Sequence, residues 1–328
     1  MNLLVLNQSE IEQLLPMQAG IEVMAQALTA LAQDQVHLPL RMVVRPPEAA
    51  GVMALMPAHI AGDNAALGVK VICVFNGNPA RGKDSHQGAV LLFDAETGEP
   101  LALMNASAIT EIRTAAVSGV ATRLLARDEA GDLAIIGSGV QARSHLAAMT
   151  CVRSIRRARI ASRNFEHAQN FAAEMQPHYA FPIDAVATIE SAVHDADLIV
   201  TATASSDPVI HREWVAPGAH LNVVGASLPH AREVDTATMA AASFFVDRRE
   251  STLNEAGDYL FAMREGAIGP EHIRAEIGEI LIGAKAGRTQ PDEITLFKSL
   301  GLAVEDVATA AYIYQQAQQH NAGTWVEF

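Results

Sequence analysis

The chain has 328 residues, of which 50% are hydrophobic and 18% charged, so it can bury a sizeable core in one large domain or two ordinary ones. Its 37 acidic residues outnumber 23 basic ones and give a net charge of −14, which argues against binding along nucleic acid or on an anionic membrane. The 22 glycines and 14 prolines are close to ordinary usage and exclude collagen-like and low-complexity classes.

The cysteines and the amino-terminal residues indicate a compartment. Cys73 and Cys151 are the only cysteines, so no disulfide framework or zinc-binding spacing exists, and we expect no metal site. The first residues lack the basic segment and cleavage site of a signal peptide, and no uncharged apolar stretch reaches the roughly 18 residues of a membrane span. We therefore expect a cytoplasmic protein with neither membrane nor nucleic-acid partners.

The first third of the chain is predicted to be helical and then mostly an antiparallel sheet. Residues 9–12 have the spacing of a capping box, and Ile21, Met24, Leu28 and Leu31 recur on one helical face. Apolar runs separated by turn residues predict strands, and an alanine-rich segment predicts a helix. The predicted strands are 42–44, 52–56, 69–75, 90–94 and 100–104, the last two forming a hairpin, and the predicted helix is 110–125.

From residue 132 onward, strands and helices alternate. The strands are continuous apolar runs, as in a parallel sheet that is buried on both faces. They are predicted at 133–136, 159–162, 198–202, 219–224 and 244–246, with helices at 144–151, 166–175 and finally 307–319. This alternation predicts an α/β fold with a Rossmann-type, doubly wound domain beside an α+β domain.

A glycine-rich turn follows the first strand of the alternating region. Gly137-Ser138-Gly139-Val140-Gln141-Ala142 has the GxGxxA pattern. Gly137 permits the tight turn, Gly139 lets a pyrophosphate approach the backbone, and the helix amino terminus faces the anion. The alternative is a plain glycine turn at a helix entry. The preceding strand and the following helix favour dinucleotide binding.

The next predicted strand ends at Ser162-Arg163-Asn164. An acidic residue at this place normally holds the ribose 2′-hydroxyl of NAD, whereas a hydroxyl, a guanidinium and an amide suit a 2′-phosphate. We therefore favour NADP(H), with NAD(H) as the other possibility. The alternative interpretation makes Arg163 a solvated surface residue.

Three basic residues, Arg41, Lys70 and Arg113, lie near apolar segments of this acidic chain. A lysine within an apolar strand needs a partner, because an unpaired buried ammonium is very costly. One interpretation is ordinary salt bridges with nearby carboxylates. The other is a pocket for a small carboxylate, made of an arginine fork and a point charge.

Several motifs in order resemble the ornithine cyclodeaminase/mu-crystallin family over essentially the whole chain. They are specific for the family and less so for the reaction. The motifs are residues 41–44, 51–57, 85–88, 113–116, 137–142, 225–229 and 295–299, with Gly301 and Asp306.

The resemblance implies a homodimer in which residues 1–118, completed by 305–328, form a substrate-binding and dimerisation domain, and 119–304 the dinucleotide-binding Rossmann domain. It implies that Arg41, Lys70 and Arg113 bind the substrate carboxylate. The positions that match cofactor contacts are Val140, Gln141, Ser162, Arg163, Thr203, Val224, Gly225 and Thr295, beside Gly137, Gly139 and Asn164 from the motifs above.

Ser227 departs from part of the family. The cyclodeaminases and the alanine dehydrogenase branch carry a catalytic aspartate at this position. A serine cannot accept a proton from an ammonium or hold a cationic imine by charge. Gly225-Ala226-Ser227, together with Ala54 where the cyclodeaminases have a glutamate, resembles the mu-crystallin and cyclic ketimine reductase branch.

The expected activity is NAD(P)H-dependent reduction of a cyclic imino acid, a step of proline metabolism. The substrate is Δ1-pyrroline-2-carboxylate, Δ1-piperideine-2-carboxylate or both, giving L-proline or L-pipecolate. Lys70 and Ser227 are the catalytic candidates, and Ser227 either orients the nitrogen or a water or only fills space. One alternative is an ornithine cyclodeaminase that releases ammonia and recycles NAD. The other is a non-catalytic, NADPH-dependent binding protein of mu-crystallin type.

Overall fold

The chain passes from one structural unit to another inside a single helix. The computed structural model describes residues 2–62, 64–75 and 77–328. The first unit comprises Met1–Arg113 and Gly301–Phe328, and the second comprises Thr114–Leu300. The helix Ala106–Leu125 therefore contributes residues to both units.

In the residues that the structure describes, the chain forms sixteen strands and eleven α-helices, with short 3₁₀ turns between some of them. The strands are β1 (Asn2–Leu6), β2 (Val36–His37), β3 (Met42–Val44), β4 (Val52–Ile60), β5 (Ala66–Val74), β6 (His86–Phe93), β7 (Pro100–Asn105), β8 (Asp132–Ile136), β9 (Arg157–Ala161), β10 (Ile183–Ala185), β11 (Leu198–Thr201), β12 (His220–Val223), β13 (Ser243–Val246), β14 (Ile273–Glu276), β15 (Thr295–Lys298) and β16 (Thr324–Glu327). The helices are α1 (Gln8–Leu14), α2 (Met17–Ala32), α3 (Ala106–Leu125), α4 (Val140–Val152), α5 (Phe165–Met175), α6 (Ile189–Val193), α7 (Thr236–Ala241), α8 (Arg249–Glu255), α9 (Gly257–Arg264), α10 (Ile277–Leu281) and α11 (Ala303–His320).

The first unit is an eight-stranded, mostly antiparallel sheet, as predicted. Its order is β16-β1-β7-β6-β5-β4-β2, with β3 also paired to β4. Among its described strands, β1 and β7 are the one pair that runs parallel. Buried and half-buried residues alternate along β5, so one sheet face packs on α11 and the opposite face stays partly exposed. This outer face of the first sheet is apolar. It includes Leu67, Val69, Val71, Leu91, Phe93, Leu101 and Leu103, all half-buried.

The second unit is an eight-stranded, wholly parallel sheet in the order β10-β9-β8-β11-β12-β15-β13-β14. From β8, the next two strands in the chain lie on one side and the following two on the other. Right-handed crossovers then place the connecting helices on opposite faces of the sheet. The predicted fold class is confirmed. Sequence analysis did not predict the strands β1, β2, β10, β14, β15 and β16, most of which are short or at sheet edges.

The N-cap of helix α1 lies two residues before the predicted one. Asn7 is the N-cap: its side chain accepts from the Glu10 N–H at 3.1 Å, and the Glu10 carboxylate accepts from the Asn7 N–H at 2.8 Å. The prediction of Ser9 and Glu12 was wrong, because β1 ends at Leu6 and the chain enters the helix at once. Ser9 is an exposed residue within the helix.

In the part of the chain that the structure describes, no single helix is long and apolar enough to cross a membrane. By length and composition alone, α1 and α2 together pass that test, but they are bent by 81° where they meet.

Replacement of the observed cap tests this helix start. Asn7→Ala removes an acceptor for one otherwise unpaired amide, so it should lower the free energy of unfolding by about 1 kcal/mol in urea titrations. The matched control Ser9→Ala should stay within about 0.5 kcal/mol of wild type, as exposed substitutions usually do. A larger loss in Ser9→Ala than in Asn7→Ala would contradict the observed cap.

Candidate functional site

The turn after β8 is built to admit an anion. Gly137 has φ +117°, and a Cβ there would lie 2.4 Å from the Ala202 carbonyl oxygen, so only glycine fits. Gly139 is the N-cap of α4, and a Cβ built on it meets no described atom within 4 Å. The amino end of α4 is therefore open to a ligand, and its free N–H groups suit a pyrophosphate. The residues present fit a dinucleotide.

The other predicted cofactor residues, Thr295 excepted, collect at the same carboxyl edge of the parallel sheet. This edge is where open α/β sheets bind ligands. Ser162, Arg163 and Asn164 follow β9, Thr203 follows β11, and Val224 and Gly225 follow β12, while Val140 and Gln141 begin α4.

Around the turn, some of these side chains already have partners. The Ser138 hydroxyl donates to the Ser162 hydroxyl at 3.1 Å. Asn164 caps α5 by accepting from the Glu166 N–H at 3.0 Å, so its carbonyl oxygen already has a structural partner. Arg163 is exposed, which leaves its guanidinium accessible.

Thr295 does not lie with the other predicted cofactor residues, contrary to the prediction. It is the first residue of β15, at the amino edge of the sheet, where it pairs in register with His220 and Ser243. It is fully buried, and its hydroxyl is bonded to the Leu125 carbonyl, His220 and Arg288. The carboxyl edge of the sheet, where the other predicted cofactor residues lie, is about 10 Å away along the strand. The structure therefore separates Thr295 from them.

In the first unit, one carboxylate joins two buried cations. The Lys70 ammonium lies 2.6 Å from one oxygen of Asp306, and the Arg113 Nε donates to the other oxygen at 3.0 Å. Arg113 also donates to Glu305 at 2.7 Å. Lys70 and Arg113 are only 2% and 5% exposed, and both carboxylates are fully buried. The predicted salt bridges therefore exist, and the same bridges hold two cations side by side.

Gly301 brings Arg41 to this group. Its φ is +78°, and a Cβ there would lie 2.6 Å from Arg113 Nη1, so a larger residue would displace the guanidinium. The Gly301 carbonyl accepts from Arg41 Nη2 at 3.1 Å. All three predicted carboxylate-binding cations are therefore brought together in the first unit.

Three cations and two carboxylates meet in this group. Lys70 pairs with Asp306, Arg113 pairs with Glu305 and Asp306, and Arg41 contacts the Gly301 carbonyl. Burial lowers the pKa of Lys70 to about 8; Asp306 opposes this shift, whereas Arg113 and Arg41 reinforce it. Lys70 is thus charged at neutral pH but close to titration, and a cluster of cations of this kind suits a small anion.

Glu305 and Asp306 were not predicted as partners of these cations, although Asp306 is one of the motif residues. Both lie in the first turn of α11, where acidic residues also interact favourably with the helix dipole. The sequence does show two adjacent acidic residues at the start of a largely buried helix. Since buried carboxylates need cations, this pattern could have indicated that they pair with buried basic residues.

Ser227 lies four residues beyond β12, in an exposed loop at the carboxyl edge of the second sheet. Gly225 is required in that loop, because a Cβ there would lie 2.1 Å from the Thr203 carbonyl oxygen. Ala54 in β4 is buried and carries no charge that could bind an amine. Among the described residues, no group of three or more His, Cys, Asp or Glu side chains is placed to hold a metal ion.

Comparisons with known proteins agree on one family. The ornithine cyclodeaminase/mu-crystallin family model matches residues 1–321. The chain is 38% identical over 327 residues to the Δ1-pyrroline-2-carboxylate reductase of Bacillus cereus, covering 99% of this chain and 100% of that protein. It is 40% identical over 276 residues to the ketimine reductase mu-crystallin of Mus musculus, covering 84% of each. The solved structure of Thermococcus litoralis Δ1-pyrroline-2-carboxylate reductase with NADH and L-proline matches with a TM-score of 0.95 and 40% identity, covering 98% and 99% of the two chains.

Carboxylate binding by Lys70 should depend on pH. Below its pKa of about 8 the ammonium attracts a carboxylate, and this attraction is lost as the pH rises through and above that value. We expect pyrrole-2-carboxylate, a small flat carboxylate, to bind progressively more weakly from about pH 7 to about pH 9.5, as measured by calorimetry.

The variant Lys70→Met keeps the stem but removes the charge. It should bind the ligand roughly 10- to 100-fold more weakly at neutral pH, because a charge-assisted contact is worth about 1.5–3 kcal/mol. Its residual binding should be flat with pH. The control Lys83→Met, at an exposed site in the same unit, should behave as wild type. Unchanged affinity in a folded Lys70→Met variant would exclude Lys70 from the site.

Proposed function

Because the chain belongs to the ornithine cyclodeaminase/mu-crystallin family, we propose that it is an NAD(P)H-dependent reductase of cyclic imino acids. Its substrates are Δ1-pyrroline-2-carboxylate, Δ1-piperideine-2-carboxylate or both, and its products are L-proline or L-pipecolate. The observation that carries this function is the convergence of three cationic side chains, Arg41, Lys70 and Arg113, in the first unit. Such a site fits the single carboxylate of these substrates.

We assign the binding of substrate to the first unit and the binding of the dinucleotide to the second. Arg41 and Arg113 would hold the carboxylate, with Lys70 as an additional point charge. The fixed positions of these cations would orient the ring, and orientation of this kind lowers the barrier of a bimolecular step. Gly137 and Gly139, with the amino end of α4, would bind the pyrophosphate.

The reduction adds a hydride to the imine carbon and a proton to the ring nitrogen. The reduced nicotinamide supplies the hydride when it is bound. Lys70 is the candidate proton donor, because its pKa of about 8 lets it carry a proton at neutral pH and release it readily. Ser227 is the candidate for orienting the nitrogen or a water, through its exposed hydroxyl.

Ser227 and Ala54 support reduction over deamination. Release of ammonia from an amino acid begins with an ammonium that must lose a proton and become a cationic imine. A carboxylate serves both steps, and neither Ser227 nor the buried Ala54 provides one. A preformed cyclic imine needs no such deprotonation.

The nicotinamide dinucleotide that we favour is NADP(H). Arg163 supports this preference, because it is exposed at the end of β9 where an acid would select NAD(H). Ser162 lies beside it and shares a hydrogen bond with the glycine-rich turn.

We also propose a homodimer that works in the cytoplasm. The apolar outer face of the first sheet supports the dimer, since a half-exposed apolar sheet face is typical of an interface. We therefore place dimerisation in the first unit. Cys73 and Cys151 are both unpaired, in line with a reducing compartment.

Measuring consumption of NADPH and NADH with both cyclic imines tests the function directly. We expect turnover of at least one imine and negligible ammonia release from ornithine. Ser227→Ala should retain imine reduction within roughly tenfold, because one neutral hydrogen bond is worth about 0.5–1.5 kcal/mol. Ammonia release from ornithine at a rate comparable to imine reduction would identify a cyclodeaminase. Tight NADPH binding without turnover of either imine would identify a non-catalytic binding protein.

Arg163→Ala tests the dinucleotide preference. Loss of a charge-assisted phosphate contact costs about 1.5–3 kcal/mol, so the KM for NADPH should rise roughly tenfold or more. The KM for NADH should stay within about twofold. Lys285→Ala removes the same charge from another exposed site of the second unit and should change neither value. An equal effect of Arg163→Ala on both dinucleotides would show that Arg163 does not contact the 2′-phosphate.

A further inference from the structure

We infer that Glu233 is a positioning residue for the two loops that follow β11 and β12, and thereby for Ser227. Its carboxylate is fully buried in the second unit. It accepts hydrogen bonds from five donors. They are the Thr201 hydroxyl at 2.8 Å, the Thr203 N–H at 2.8 Å, the Thr203 hydroxyl at 2.7 Å, the Gly225 N–H at 2.6 Å and the Ala226 N–H at 3.3 Å.

These donors come from both loops, so one carboxylate fixes the distance between them. One oxygen binds Thr203 in the loop after β11, and the other binds Gly225 and Ala226 in the loop after β12. The Glu233 carbonyl also accepts from Val209 and Ile210 further along the first of these loops. Both loops lie at the carboxyl edge of the parallel sheet, where such folds bind their ligands.

The packing around Gly225 shows how closely the loops are drawn together. A Cβ on Gly225 would lie 2.5 Å from the Glu233 carboxylate and 2.1 Å from the Thr203 carbonyl oxygen. Any other residue would push the loop away from its anchor. Ser227 follows two residues later, so its place depends on the same contact.

Glu233 is itself anchored to a third strand. Asp258 accepts from the Glu233 and Val234 N–H groups at 2.7 and 3.0 Å, and its other oxygen lies 2.9 Å from the Lys298 ammonium at the end of β15. Asp258 and Lys298 are buried. Since β11, β12 and β15 are neighbours in the sheet, this network spans three adjacent carboxyl ends.

The charge of Glu233 has no cation to balance it among the residues that the structure describes. A carboxylate can accept from five donors, whereas a glutamine would turn its NH₂ group toward some of them. Glutamine has nearly the same size as glutamate, so Glu233→Gln tests the loss of one acceptor oxygen and of the charge without changing the packing. The change should disorder the spacing of the two loops without removing any group that binds the substrate carboxylate.

The test is the binding of NADPH and NADH by Glu233→Gln, titrated without imine substrate. We expect the Kd of the preferred dinucleotide to rise roughly fivefold or more. In turnover assays kcat should fall roughly three- to tenfold, no further than in Ser227→Ala, whereas the KM for the imine should stay within about threefold. Only this kinetic comparison rests on the proposed function. If the wild type binds dinucleotide but reduces no imine, the proposed function is refuted, and the binding test of Glu233 still stands.

Asp197→Asn is the matched control. Asp197 also accepts backbone N–H groups, those of Gly131 and Asp132, but at the amino edge of the same sheet. The Asp197→Asn variant should have a lower melting temperature than wild type, yet bind dinucleotide with the wild-type Kd. Dinucleotide binding within about twofold of wild type in folded Glu233→Gln, or equal loss in both variants, would overturn the inference.

A milder variant covers the case in which Glu233→Gln does not fold. Thr201→Val keeps the shape of a fully buried side chain and removes one of the five donors. We expect dinucleotide binding roughly two- to threefold weaker and a parallel fall in kcat. Wild-type values of both would overturn the role of Glu233.

Discussion

Asp306 makes the buried cations of the first unit possible. Lys70 and Arg113 lie on different elements, β5 and α3, and neither could remain charged in the interior without a carboxylate. Asp306 serves both through separate oxygens, although it lies 193 residues from Arg113 in the chain. The carboxy-terminal helix α11 must therefore return to the first unit, and Gly301 provides the turn that lets it approach Arg113. The cluster of buried cations therefore depends on Asp306, with Glu305 as the second partner of Arg113.

Carboxylates that bind backbone play a related part in the second unit. Glu233 holds loops at the carboxyl edge of the sheet, and Asp197 holds backbone at the amino edge. Some of the acidic residues behind the net charge of −14 therefore lie inside the protein and not on its surface. Some acidic groups replace water as acceptors for backbone N–H groups in places where loops must keep a fixed separation. Loops whose separation is fixed in this way can bind a ligand without an ordering cost at each binding event.

What could be predicted from sequence was local. The glycine-rich turn, the apolar strands and the α/β fold class are each encoded within a few neighbouring residues, and the structure confirms that fold class. The roles of Asp306 and Glu233 are not local, because their partners come from distant strands and helices. The start of α1 was missed since Asn7–Glu10 and Ser9–Glu12 both fit the spacing of a capping box. Thr295 was misplaced because a motif position does not reveal which end of a strand faces the ligand.

The central claim is that the chain transfers a hydride to the carbon of a cyclic imine. The most direct measurement uses dinucleotide deuterated at C4 of the reduced ring, Δ1-pyrroline-2-carboxylate and mass spectrometry of the product. The account predicts L-proline with one deuterium at C2, and none at that carbon when ordinary dinucleotide is used in heavy water. Proline without deuterium at C2, or with C2 deuterium drawn from the solvent, would contradict it.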